Sequence, residues 1–142
     1  GEPQTPEAKD AVALVYHTLG LIKGLSPDYW FLENPRGYLR HIIGEPTGWV
    51  SYCQYGRDYM KPTELWGEHP RSFEYRQCPP NGGCHVYNTD WAQGGDGNMS
   101  TNPAFPNDPA KRAKVPYELS KCILEAIENP SGDQQSAAEV EW

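Results

Sequence analysis

The chain has few of the residues that fill a dense hydrophobic core, with 3 Phe and 2 Met against 14 Gly and 14 Pro. A hydrophobic share of 37% in that company argues for a loop-rich domain rather than a compact helical bundle. At 142 residues it has length for one domain, able to bury about two-thirds of its unfolded surface. Long apolar runs are absent, and nothing approaches the roughly 20 residues of a membrane-spanning helix. No basic stretch followed by an apolar one opens the sequence, so no secretory signal is visible and a cytoplasmic protein without a membrane partner is expected. Cysteine is also scarce. Cys53, Cys78, Cys84 and Cys122 are too few for a disulfide scaffold in a chain this long and point to free thiols or a metal site in a reducing compartment.

Basic residues are outnumbered, 12 Lys and Arg against 19 Asp and Glu, for a net charge of −7. The imbalance lies at the ends. Residues 125–142 carry five acids and no Lys or Arg, and residues 1–10 carry three acids against Lys9, which leaves 11–124 neutral. Global acidity therefore does not exclude a local basic face for nucleic acid. The pattern implies one domain over 1–130 and an acidic, flexible tail over 131–142.

Thr5, Pro6 and Glu7 form a helix start, and Val12, Val15, Tyr16, Leu19 and Ile22 repeat at helical spacing up to Gly24. Leu14 and Leu21 widen that stripe, as for a helix packed on a sheet. Tyr29 to Leu32 reads as a buried strand of a parallel sheet, Arg36 to Ile43 as a short helix ended by Gly44, and Trp49 to Cys53 as a second strand. Thr63 to Trp66 is a third and weaker strand candidate. From 67 to 113 Pro, Gly, Asn and Asp dominate and no apolar period survives. A last helix starts at Pro116, with Leu119, Cys122, Ile123, Ala126 and Ile127 as its stripe, and stops at Asn129-Pro130. The class expected is α/β.

An irregular stretch this long needs a staple. Cys78-Pro-Pro-Asn-Gly-Gly-Cys84-His85 places two thiols and an imidazole within eight residues, and Cys53 can complete a Cys3His zinc tetrahedron, with His69 as the alternative nitrogen. The same residues also fit separate buried thiols or a redox pair. Cys122 reads as core.

Three blocks carry a resemblance. They are Trp30-Phe31-Leu32-Glu33-Asn34-Pro35-Arg36-Gly37, then Ser51-Tyr52-Cys53-Gln54-Tyr55-Gly56-Arg57-Asp58-Tyr59-Met60-Lys61-Pro62-Thr63, then Lys111-Arg112-Ala113-Lys114-Val115-Pro116-Tyr117-Glu118-Leu119. In this order and rough spacing, over about residues 8–128, they resemble the C-terminal part of the DNA cytosine-5 methyltransferases, and Glu-Asn-Pro-Arg-Gly resembles a divergent branch from phages and mobile elements. The resemblance implies a partial Rossmann-like methyltransferase sheet with flanking helices. It implies that Glu33, at a strand's carboxyl end, holds the Watson–Crick edge of a flipped cytosine. Arg36, Arg40, Arg57, Lys61, Lys111 and Arg112 are then the candidate DNA contacts.

The residues depart from the family at Pro35, Tyr59, Lys61 and Arg112 to Lys114. The family's glycine-rich cofactor loop and catalytic Pro-Cys loop both precede the Glu block, and no Cys precedes Glu33 here. Without a thiolate there is no covalent attack on C6. The resemblance thus implies S-adenosylmethionine chemistry only with a complementing N-terminal segment, with self-association at an unpaired strand edge as the other partnership. The alternative is a non-catalytic nucleic-acid- or protein-binding module of the same descent, stabilised by zinc.

Overall fold

The computed structural model describes residues 3, 5–79, 84 and 108–132. Helix α1 spans Pro6–Leu25, strand β1 Leu32–Pro35, helix α2 Arg40–Ile43 and strand β2 Gly48–Ser51. A 3-10 turn over Tyr52–Tyr55 follows, then strand β3 Pro62–Trp66, helix α3 Pro109–Arg112 and helix α4 Tyr117–Glu128.

The start of α1 is the one the sequence predicts. Thr5 Oγ1 accepts the Ala8 N–H at 3.2 Å and Pro6 occupies the first turn. Its end differs. Gly24 stays helical and the left-handed residue is Ser26, at φ 47°. The Ser26 hydroxyl donates to the Lys23 carbonyl at 3.1 Å and its N–H to Ile22 at 2.9 Å, which satisfies two terminal acceptors before Pro27. Among the described residues α1 does not bury its apolar stripe on the sheet, contrary to expectation. None of its residues is buried, and Leu14, Tyr16, Leu21 and Leu25 are exposed. Val12 and Val15 instead border a groove of about 420 Å³ shared with Tyr38, Leu39 and Ile42.

The sheet has the order β1-β3-β2, and both of its pairings are antiparallel. The expectation of hydrogen-bonded parallel strands is therefore corrected. β1 and β2 are parallel to each other only across β3, which lies between them. The twelve residues from 36 to 47, including α2, make the crossover that a parallel return requires. What the structure establishes is a mixed helix-and-strand chain around a small, open three-stranded sheet.

β1 begins where the predicted strand ends. The ladder pairs Leu32 with Trp66 and Glu33 with Leu65. It breaks at Gly67, φ 143°, where a Cβ would collide with the Trp30 carbonyl, and resumes with Trp30 N–H to Glu68 O at 3.1 Å. Glu33 consequently sits within β1 rather than past its end.

Cross-strand partners share a face. Glu33, Leu65 and Gly48 form one row, and Asn34, Glu64 and Trp49 the next row on the opposite face. The Tyr75 ring occupies the space over Gly48 that a side chain would need. The core gathers Val50, Tyr52, Tyr55, Tyr59, Leu65, Phe73, Leu119 and Ala126. α4 packs on the 3-10 turn through Leu119 and Ala126, with Cys122 and Ile123 half-buried beside them, while Ile127 is exposed.

Of the expected irregular stretch, 67–79 carries no helix or strand, and Pro109–Arg112 is helical where none was expected, capped by Asp108. The segment Arg76 to Cys78 is held along the outer edge of β2. Ser51 N–H donates to Arg76 O at 3.0 Å, Gln77 Nε2 to Trp49 O at 3.2 Å, and Cys78 N–H to Ser51 Oγ at 3.0 Å. That lacing covers an edge that would otherwise pair indiscriminately.

Candidate metal centre and the Glu33 site

The lacing of residues 76–78 onto β2 has a chemical result, because it delivers Cys78 to the 3-10 turn that carries Cys53. Cys78 Sγ lies 3.4 Å from Cys84 Sγ, and Cys84 Sγ lies 3.5 Å from Cys53 Sγ. All three sulfurs fall within 4.8 Å of one another, and none is in a disulfide. A tetrahedral zinc with Zn–S bonds of about 2.3 Å sets its sulfurs about 3.8 Å apart. Those two separations therefore need to open by only a few tenths of an ångström for the cluster to hold a metal ion. Cys53 is buried, and that burial, followed by the bond from Cys84 and the charge of Cys78, raises its pKa well above that of a free thiol. A bound cation reverses that preference by favouring thiolates.

The predicted fourth ligand, His85, lies outside the described residues. The alternative, His69, is not part of the cluster. Its Nδ1 lies 2.5 Å from the Tyr75 hydroxyl and its ring stacks on Phe31 at 4.0 Å. Burial pushes its pKa down. Cys122 sits on the half-buried side of α4, as expected of a core position.

Glu33 is half-buried and accepts a 2.8 Å hydrogen bond from the Tyr52 hydroxyl. Lys61, 6% exposed, places its ammonium 4.7 Å above the Tyr52 ring and donates to the Arg112 carbonyl at 2.9 Å. Burial lowers the Lys61 pKa; Glu33 opposes that fall, while Arg57 and Arg112 add to it. The three sequence blocks thus converge. Glu33 comes from the first, Tyr52, Arg57 and Lys61 from the second, and Arg112 from the third. Tyr52 carries no charge and lies beside a cysteine in sequence, so it gave no signal of its own.

Arg36 and Arg40 face the other side of the sheet. Both reach Glu64, a carboxylate with no solvent exposure on the central strand. Arg40 donates to Glu64 Oε1 and also lies 3.7 Å from Glu45, while Arg36 stands 3.6 Å from the same Oε1 and 4.7 Å over the Trp49 ring. Bonding to Glu64 raises the Arg40 pKa against the pull of burial. These two arginines are not brought together with Arg57, Lys61 and Arg112. Lys111 is exposed on α3, the nearest of the candidate cations to open solvent at that end.

No helix among the described residues is long and apolar enough to cross a membrane. No family model, curated protein or solved structure matches the chain.

Proposed function

We propose that this chain is the DNA-contacting, C-terminal part of a cytosine-5 methyltransferase-type domain, presenting Glu33 to an unstacked cytosine and stapled by zinc. The observation that carries the reading is the convergence of the three blocks on Glu33, with its carboxylate oriented by Tyr52. A carboxyl group held in this way can accept from the cytosine amine and support a proton at N3. Zinc on Cys53, Cys78 and Cys84, with His85 as fourth ligand, would be structural and closed, and suits a reducing, cytoplasmic setting. S-adenosylmethionine and the attacking thiolate come from a complementing segment. β1 pairs only with β3 among the described residues, so its outer edge is where that segment, or a second copy of the chain, would join the sheet.

The test is binding of a labelled duplex holding one unpaired cytosine, compared with the same duplex holding an abasic position. The intact chain should prefer the cytosine, and Glu33→Ala should cost that preference about ten-fold, in the range for one bidentate base contact. Equal binding of the two duplexes by the unaltered protein sinks the base-binding reading.

A second reading, a non-catalytic nucleic-acid- or protein-binding module, is favoured by Lys61, which is enclosed on the Arg112 carbonyl instead of facing a phosphate. Adding a segment with the cofactor loop and Pro-Cys discriminates, since only the first reading gains methyl transfer.

A further inference from the structure

The three thiols of the metal centre are not equivalent. Cys53 is buried on the 3-10 turn, whereas Cys78 and Cys84 are half-exposed. The sulfurs of Cys78 and Cys84 lie 3.4 Å apart, already in contact. Only five residues, Pro79, Pro80, Asn81, Gly82 and Gly83, separate them in the chain. Cys53 comes from a different part of the fold, fixed in the core between Tyr52 and Tyr55.

We infer that the metal centre is also a redox switch, in which a hydroperoxide joins Cys78 to Cys84 as a disulfide and expels the metal. The inference rests on the metal reading above. One of the two outer thiolate sulfurs attacks a peroxide oxygen; the O–O bond breaks and a sulfenic acid forms. The other sulfur attacks that sulfenic sulfur, the S–S bond forms and hydroxide leaves as water. Two thiolates lose two electrons, and hydrogen peroxide takes up these electrons with two protons to give two waters. Of the two electron pairs with which these thiolates held the metal, one has reduced the peroxide and the other forms the S–S bond, so the ion departs as a divalent cation, leaving Cys53 as a single buried thiol. Bringing the sulfurs from 3.4 Å to a bond of about 2.0 Å joins two half-exposed side chains and leaves the buried Cys53 in place.

The experiment treats zinc-loaded full-length protein with hydrogen peroxide. It follows released zinc with a chromophoric chelator and maps disulfides by mass spectrometry after alkylating free thiols. One zinc released per Cys78–Cys84 disulfide is expected, with Cys53 and Cys122 alkylated and zinc binding restored by a thiol reductant. Zinc retained through several equivalents of peroxide, or a disulfide that includes Cys53, overturns the switch and leaves the metal reading standing. A protein that never takes up zinc overturns both. In Cys53→Ser the outer disulfide should still form under peroxide, and its failure to form there also overturns the assignment.

Discussion

At the residue scale Glu64 decides more than its exposed neighbours do. Its side chain has no solvent exposure, and Arg40 and Arg36 both approach one of its oxygens while the other has no hydrogen-bond partner among the described residues. A buried carboxylate so placed is an uncompensated cost unless the arginines neutralise it, whereas the arginines keep partial exposure and second partners in Glu45 and the Trp49 ring. Glu64→Ala should lower unfolding stability by about 1–3 kcal/mol, because it removes the buried acceptor that Arg40 of α2 and Arg36 share, whereas Glu64→Gln keeps an acceptor and should cost less. Urea midpoints read this, and an unchanged midpoint for Glu64→Ala refutes the network. His69 makes a separate, pH-dependent claim. Burial depresses its folded pKa, so protonation favours the unfolded chain. Its contribution is then complete above the unfolded value of about 6.5 and is lost as pH falls through the lower folded value. The difference in Tm between the unaltered protein and His69→Asn should narrow from pH 7.5 to pH 5.0, and a constant difference contradicts it.

At the element scale, what could be read from the sequence followed from local chemistry. Thr5-Pro6 start α1, Gly44 ends α2 at φ 89°, and the Leu119-Cys122-Ile123-Ala126 stripe faces inward as its spacing predicts. Strand position and direction were less legible, because both depend on the partner strand. Tyr29 to Leu32 is the most apolar run, yet pairing is regular over Leu32–Pro35, since Gly67 on the partner kinks at Trp30. The weakest strand candidate, Thr63 to Trp66, is the central strand. Its charge hid it, because Glu64 looks like a surface residue until Arg36 and Arg40 are seen beside it. The site was legible to a similar degree. Cys53, Cys78 and Cys84 were found from residue type and a plausible knuckle, but the role of Tyr52 depends on a contact nineteen residues away along the chain, which no local pattern encodes.

On the scale of the whole molecule, the three-cysteine cluster and the Glu33 site share one short element. Cys53 and Tyr52 are consecutive on the 3-10 turn; one would bind the metal and the other holds the Glu33 carboxylate. The same metal would fasten the Arg76–Cys78 segment to the edge of β2 through Cys78. A ligand that binds only the folded state stabilises it by RT ln(1 + [L]/Kd), about 4 kcal/mol when free metal stands a thousand-fold above Kd. Chelation should therefore lower Tm and speed hydrogen exchange first at the Ser51 and Cys78 amides, whose acceptors are the Arg76 carbonyl and the Ser51 hydroxyl. The amides through which β1 and β3 pair with each other, on the side of the central strand away from that segment, should exchange more slowly throughout. Because the turn is shared, the loosening should reach Glu33, so chelation should weaken the proposed preference for an unpaired cytosine, and added zinc should recover it. A Tyr52→Phe variant separates the two routes. It should lose part of that preference with the metal still bound, because the hydroxyl that orients Glu33 is gone while Cys53 stays in place. Were Tyr52→Phe to bind the cytosine duplex as the unaltered protein does, the metal centre and the Glu33 site would be independent features of the same fold.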